Sequence, residues 1–127
     1  MRLLLDTHAL LWWATLDPNL SRKAKKAIAD ERSDVFVSAA SAWEIATKVR
    51  IGKLEWPGAA GTVNAYTLGQ GFRPLAISLE HAERAGQLQI ANRDPFDRVL
   101  IAQAQTEDLW LVTNEDGFDS AGVLRYW

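Results

Sequence analysis

The sequence predicts an α/β fold in which a short, mainly parallel sheet is covered by helices on both faces. Three observations predict it. Short apolar segments that read as strands alternate along the chain with longer amphipathic or capped segments that read as helices. The strand segments, Leu3-Leu4-Leu5, Val35-Phe36-Val37 and Leu109 to Val112, are continuously apolar, as expected of strands buried on both faces. No repeat, low-complexity tract or linker interrupts the 127 residues, so the chain is most simply one domain, residues 1–127. At that length it can bury roughly two thirds of its unfolded surface.

In order, Arg2 to Leu5 reads as the first strand and His8 to Thr15 as a helix. Asp17-Pro18-Asn19 is a turn, and Ser21 caps a helix running to about Asp30. Val35 to Val37 is the second strand, and Ser38 opens a helix through Trp43 and Val49 that Gly52 ends. Glu55 to Gly58 is a loop, and a helix is expected near Ala59 to Leu68. Phe72 to Ile77 reads as a strand whose Pro74 places it at an edge, since proline has no N–H for a neighbour. Ser78 caps a short helix through Ala85. Asp94 opens another, with Pro95 at its first position. Leu109 to Val112 and Val123 to Arg125 are the last strands.

Composition narrows the function classes. The chain has no cysteine, which removes disulfides, thiolate metal sites and cysteine nucleophiles and fits a reducing compartment. In MRLLLDTHALLWW, Asp6 and His8 interrupt the apolar run too early for a secretory or membrane-spanning segment, so a cytoplasmic protein without membrane contact is expected. A net charge of -2 argues against a nucleic-acid coat protein held by a broad positive field, while leaving room for a local nucleic-acid site. The basic run Arg22-Lys23-Ala24-Lys25-Lys26 reads as a solvated helix face. Six tryptophans are many for this length. Adjacent Trp12 and Trp13 are not expected to share one core, and one of them is expected near a surface that meets another chain.

Ligands of open parallel sheets bind outside the carboxyl ends of the strands, and acids gather there. Asp6 follows the first strand. Ser38 follows the second, with Glu44 early in the next helix. Thr113, Glu115 and Asp116 follow the strand that ends at Val112, and Asp94 and Asp97 begin a helix that can present its first turn to the same edge. Asp97 shares its stripe with Leu100, Ile101 and Ala104, so it points towards the core, where a carboxylate needs a partner. Ordinary roles exist for each residue alone. Asp6 and Asp94 suit N-caps, Glu44 suits an i,i+4 pair with Lys48, and Glu115 and Asp116 suit a turn before Gly117. Taken together, four carboxylates at one rim with no lysine beside them would raise one another's pKa and destabilise the fold. A divalent cation resolves the conflict. With oxygen ligands alone and no paired histidines, the set suits Mg²⁺ or Mn²⁺ and hydrolysis of a phosphodiester by water.

Four ordered blocks, LLLDTHALLWW, VSAASAWEIATKVRIGKL, RDPFDRVLIAQA and LWLVTNEDGF, closely resemble the PIN domain. More narrowly, they are similar to the toxin nucleases of VapBC-type toxin-antitoxin modules. The resemblance covers essentially the whole chain. It implies a three-layer α/β/α sandwich, a Mg²⁺- or Mn²⁺-dependent endoribonuclease, a homodimer, and inhibition by a small cognate antitoxin of the VapB kind. Carried over, Asp6, Glu44 and Asp97 match the three metal-binding acids, with Asp94 an adjunct or helix cap. The fourth block departs from the usual Thr-x-Asp-x-x-Phe. Thr113-Asn114-Glu115-Asp116-Gly117-Phe118 puts Glu115 at the aspartate position, so either Glu115 or Asp116 is the fourth acid. Ser38 and Thr113 are candidates to hold water or phosphate oxygens, and Arg98 to contact RNA phosphate. Single-stranded or loop RNA is the expected substrate, because its phosphates are accessible. The alternative from another class is a catalytically silent scaffold of the same fold that dimerises or docks RNA. An aspartyl-nucleophile phosphatase fits less well: it would want a second carboxylate at position 8, which is His8.

Overall fold

A computed structural model describes residues 1–127. Five parallel strands form one sheet in the order β3-β2-β1-β4-β5: β1 (Arg2–Leu5), β2 (Asp34–Ser38), β3 (Arg73–Leu75), β4 (Trp110–Val112) and β5 (Arg125–Tyr126). Six α-helices cover it: α1 (Thr7–Thr15), α2 (Arg22–Ala29), α3 (Ala39–Arg50), α4 (Val63–Gly69), α5 (Leu79–Gln87) and α6 (Pro95–Thr106). β1 lies at the centre, between β2 and β4, so strand order reverses there, and the crevice at its carboxyl end is where such sheets take ligands.

The two-residue period of β1 creates two cores. Leu3 and Leu5 point to one face and join Leu10, Leu20, Ile28, Val35, Val37 and Ile45, under α1, α2 and α3. Leu4 points to the other and joins Leu100, Ile101, Ala104, Leu111 and Phe118, under α6. Leu3, Leu4 and Leu5 are all fully buried, each worth about 1.5–3 kcal/mol of burial. The three-layer α/β/α sandwich follows.

Four helices start where the sequence placed their caps. Ser21, Ser38, Ser78 and Asp94 each accept a hydrogen bond from a backbone N–H of the first turn they cap. Asp6 caps α1 in the same way, through Ala9. The continuous helix expected near Ala59 to Leu68 is instead a 3₁₀ turn at Gly58–Ala60 followed by α4. Gly61 at φ +74° breaks the first, and the Thr62 hydroxyl restarts the second by accepting from Ala65 N–H at 3.0 Å. The edge strand with Pro74 is where expected, paired over fewer residues than the apolar run suggested. The last strand pairs at Arg125–Tyr126 rather than from Val123, because Val123 is buried against the α6 side of the sheet. A 3₁₀ turn at Asp116–Ala121, not anticipated from sequence, leads into it.

Trp12 and Trp13 depart from expectation, since both pack against the same core from its margins. Trp12 meets the Trp127 ring edge-on at 5.8 Å, and Trp13 lies 6.1 Å from the Phe72 ring and donates its indole N–H to Gln70. The most exposed tryptophan is Trp43, on α3. No helix is long and apolar enough to cross a membrane.

Candidate metal centre

Each acid is brought to the carboxyl rim of the sheet by a local device. Asp6 ends β1: its N–H donates to Val112 O at 3.1 Å, and its carboxylate accepts from Ala9 N–H at 2.7 Å. The same residue therefore terminates a strand and starts a helix, which holds its side chain in a buried crevice. Burial raises its pKa from 3.8 to about 6, against the lowering effect of the Ala9 and Thr113 hydrogen bonds and of His8, and Glu115 adds to the rise. Asp94 caps α6 by accepting from Phe96 N–H at 2.8 Å and Asp97 N–H at 3.3 Å. That cap presents Asp97 inward, where burial again raises its pKa to about 6. The Asn92 side chain opposes this, while the charges of Asp94, Glu115 and Glu44 reinforce it. Asp6 and Asp97 thus both carry the cost of a charged carboxylate in a confined, negative environment.

Glu44 is buried in the second turn of α3 and fully engaged. Its Oε1 accepts from the Thr7 hydroxyl at 2.6 Å, and its Oε2 is paired with the Lys48 ammonium. The expectation of a rim without lysine is corrected here. The i,i+4 pair with Lys48 forms, and it brings the ammonium within the field of Asp94 and Asp97 as well. Its pKa is raised, chiefly by the Glu44 hydrogen bond. With Glu44 turned towards Thr7 and Lys48, no three acid or imidazole side chains converge closely enough to chelate an ion as they stand.

Glu115 and Asp116 diverge. The Glu115 charge acts on both Asp6 and Asp97, and Glu115 lines a cavity of about 170 Å³ together with Asn92, the residue that donates to Asp97 at 3.1 Å. The Asp116 charge is felt instead by Arg125, which pairs with Asp119. Both residues are exposed.

Thr113 is fully buried beside Asp6. Its hydroxyl lowers the Asp6 pKa, and its Oγ1 accepts from Glu115 N–H at 3.1 Å, so it joins the two acids. Ser38 and Arg98 have other work than the phosphate contacts expected of them. Ser38 is buried, accepts from Ala40 N–H at 3.0 Å and donates to Gln103 Oε1 at 2.6 Å, which uses its hydroxyl in both senses. The Arg98 guanidinium donates to the carbonyls of Ala85, Asn92 and Leu88 at 2.7–2.9 Å and to Gly86 at 3.4 Å. It clamps the connection between α5 and α6 that carries Asn92 and Asp94. Replacing Arg98 by alanine is expected to cost about 2 kcal/mol, read as a lower urea midpoint, because several part-buried carbonyls lose a charged donor. Arg98→Lys should recover only part, lacking the fork that reaches several carbonyls at once. An unchanged midpoint with weakened RNA binding would restore the phosphate-contact role.

Sequence reasoning missed Thr7 and Asn92. A hydroxyl one position after Asp6 carries no periodic signal, and its contact with Glu44 spans 37 positions. Asn92 is legible only in retrospect, as an asparagine two residues before a helix cap whose Oδ1 accepts from Asp94 N–H at 2.9 Å. His81 is buried, hydrogen-bonded to Glu107 and Ser78, and remote from the acids in role.

The donor chemistry of Asp6, Glu44, Asp97 and Glu115 fits a hard divalent ion. The ligands are oxygens only, and the two most affected carboxyls would be relieved by positive charge. Comparison with known proteins bears on the same segments. The PIN domain family model matches residues 3–124. Among curated proteins there is no significant match. Solved structures with the same fold include VapBC2 from Rickettsia felis bound to a DNA fragment from their promoter, at 16% identity and TM-score 0.69, covering 98% of this chain and 96% of that one. A toxin-antitoxin complex from Klebsiella pneumoniae matches at 21% and 0.59, covering 91% and 88%. Mycobacterium tuberculosis VapC20, a sarcin-ricin loop cleaving toxin, matches at 18% and 0.61, covering 98% of both chains. With a family model spanning nearly its whole length and solved structures of the same fold beside it, the chain belongs to the PIN domain family.

Proposed function

We propose that the protein is a divalent-metal-dependent endoribonuclease, the toxin of a type II toxin-antitoxin pair of the VapBC kind. The observation that carries this reading is the pair Asp6 and Asp97. They sit at the switch point of the sheet with pKa values raised to about 6, flanked by Glu44 and Glu115. Carboxyls held that high by burial, with the charge of Glu115 acting on both, cost stability at neutral pH, and a cation site explains why the fold retains them. Asp6, Asp97, Glu44 and Glu115 would hold Mg²⁺ or Mn²⁺, with Asp94 setting the first turn of α6. Such an ion, when bound, supplies acidity to a coordinated water and neutralises charge growing on the phosphoryl oxygens. The protein's own part is positioning. Thr7 and Lys48 orient Glu44, Asn92 orients Asp97, and Thr113 ties Asp6 to the Glu115 backbone.

Glu115 is the fourth acid in this reading rather than Asp116, because its charge acts on both Asp6 and Asp97 and that of Asp116 does not figure at either. The RNA substrate, a VapB-like antitoxin partner and a homodimer are proposed from the family resemblance, supported by neighbours described as VapBC and toxin-antitoxin assemblies and as a sarcin-ricin loop cleaving toxin.

A cellular RNA pool incubated with the protein and Mn²⁺, Mg²⁺ or chelator tests the proposal. Discrete fragments are expected with metal only. Glu115→Gln should lose most of the activity and Asp116→Asn little, and the reverse ranking would exchange their roles. The second reading is a silent scaffold, favoured by the engagement of Glu44 with Lys48 and by the absence of a converged chelate. Failure to cut under any metal, in protein shown by mass spectrometry to be free of antitoxin, would establish it.

A further inference from the structure

We infer that Trp43, held by Phe96, is a stacking platform for an unpaired base of the RNA, a subsite beside the acidic rim that rests on the nuclease reading above. Trp43 is 61% exposed, more than any other tryptophan in the chain. Trp12, Trp13, Trp56 and Trp127 are half-buried against the core on the other side of the sheet from α6. Trp110 leans on Tyr126. Trp43 instead meets Phe96 edge-on, with ring centroids 5.0 Å apart and planes at 84°. Each member of this pair immediately precedes a site acid, Glu44 on α3 and Asp97 on α6. The aromatic pair therefore bridges the two helices on the outside of the seam whose inside carries the carboxylates.

The surroundings of Trp43 favour a flat ligand over a protein core. On its stripe of α3, the residues one turn before and after, Ala39 and Ala46, are exposed and small. Val49, the other large exposed hydrophobe of the helix, lies about 120° around the axis and does not extend the patch. Protein interfaces are built on contiguous apolar area, which one ring between alanines does not supply. A nucleobase needs only an open aromatic face, and every base has one to offer in return. Arg50, exposed two turns further along the same stripe and about 10 Å away along the axis, supplies the cation that a following phosphate requires. Base on the ring and phosphate on the guanidinium describe a single strand entering the rim along α3. A paired strand would keep its bases stacked in the duplex and away from the ring.

The test is fluorescence anisotropy with a short, unstructured, labelled oligoribonucleotide and its fully abasic counterpart, in the Asp97→Asn background with chelator so that neither is cut. The protein bearing Trp43 is expected to bind the base-bearing strand roughly tenfold more tightly than the abasic one. Trp43→Ala should remove that preference while leaving abasic binding unchanged, and Trp43→Phe should restore most of it. A preference that survives in Trp43→Ala would overturn the inference and leave the nuclease reading standing. So would unchanged RNA binding accompanied by a fall in mass on light scattering, which would assign the ring to an interface between copies. If the unaltered protein neither binds nor cuts RNA with metal present, the nuclease reading fails and this subsite falls with it.

Discussion

Asp97→Asn is expected to lower metal-dependent RNA cleavage by a hundredfold or more, a magnitude of about 10²–10³ being usual for removing one group that stabilises developing charge. In chelator the same variant should unfold at an equal or slightly higher temperature than the parent. The Asp97 carboxyl is held at about 6 by burial and by the charges of Asp94, Glu115 and Glu44, so at neutral pH its ionised form works against the fold. Asparagine removes that charge and keeps an oxygen to accept from Asn92, while the helix cap belongs to Asp94 and is untouched. Gel-resolved cleavage and a thermal melt in chelator measure the two halves. A variant that melts well below the parent would make Asp97 a structural residue and sink its role as a ligand.

The second large effect joins pH, metal and stability. Burial raises the Asp6 pKa to about 6 in the folded protein from 3.8 in the unfolded chain, so the proton is bound more tightly by the folded state. The stability that this difference contributes is fully present below pH 3.8 and is lost as pH rises through about 6. A shift of that size corresponds to about 3 kcal/mol. Asp97 acts in the same direction with a smaller weight, being partly in solvent. In chelator, the contribution of the rim to stability should therefore decline between pH 4 and 6. Mn²⁺ at about a hundred times its dissociation constant should return about 2.7 kcal/mol near neutrality. Near pH 5 the return should be smaller, because protons then occupy the carboxyls that the ion needs. Asp6→Asn keeps a side-chain oxygen to cap α1 and should abolish most of both effects. Urea titrations at the two pH values, with and without Mn²⁺, decide the matter. A metal increment that is the same at both would separate the ion from these carboxyls.

The residues show which parts of this protein were legible before its folding was known. The helix starts at Ser21, Ser38, Ser78 and Asp94 were local matters, because a short polar side chain satisfies N–H groups only a few residues away. The parallel character of the sheet was legible in the unbroken runs Leu3-Leu4-Leu5 and Val35-Phe36-Val37, and the edge position of β3 in Pro74. The split at Gly61 was not, since a glycine inside a helical pattern does not announce its φ. Asp6, Glu44, Asp94, Asp97 and the adjacent Glu115 and Asp116 could be named as rim acids because each stands just after a strand or in the first turns of a helix, and the PIN resemblance ordered them.

What the sequence by itself determined was the fold class, the strand and helix order and the list of acids, all carried by short-range periodicity, capping and motif spacing. What only the tertiary structure decided was the use to which each polar group is put. Arg98 looked available to a phosphate, yet clamps the carbonyls of the α5–α6 connection, and Ser38 spends its hydroxyl on Gln103, 65 positions away. The Glu44–Lys48 pair was legible as a spacing, but its reach to Asp94 and Asp97 required the α3–α6 contact. Between Glu115 and Asp116 the chain offers two adjacent carboxylates, and it is the turn after β4 that lets the Glu115 charge act on Asp6 and Asp97. Hydrogen bonds and charges act across a few ångströms of space, and partners tens of residues apart meet only after the sheet has brought their helices together.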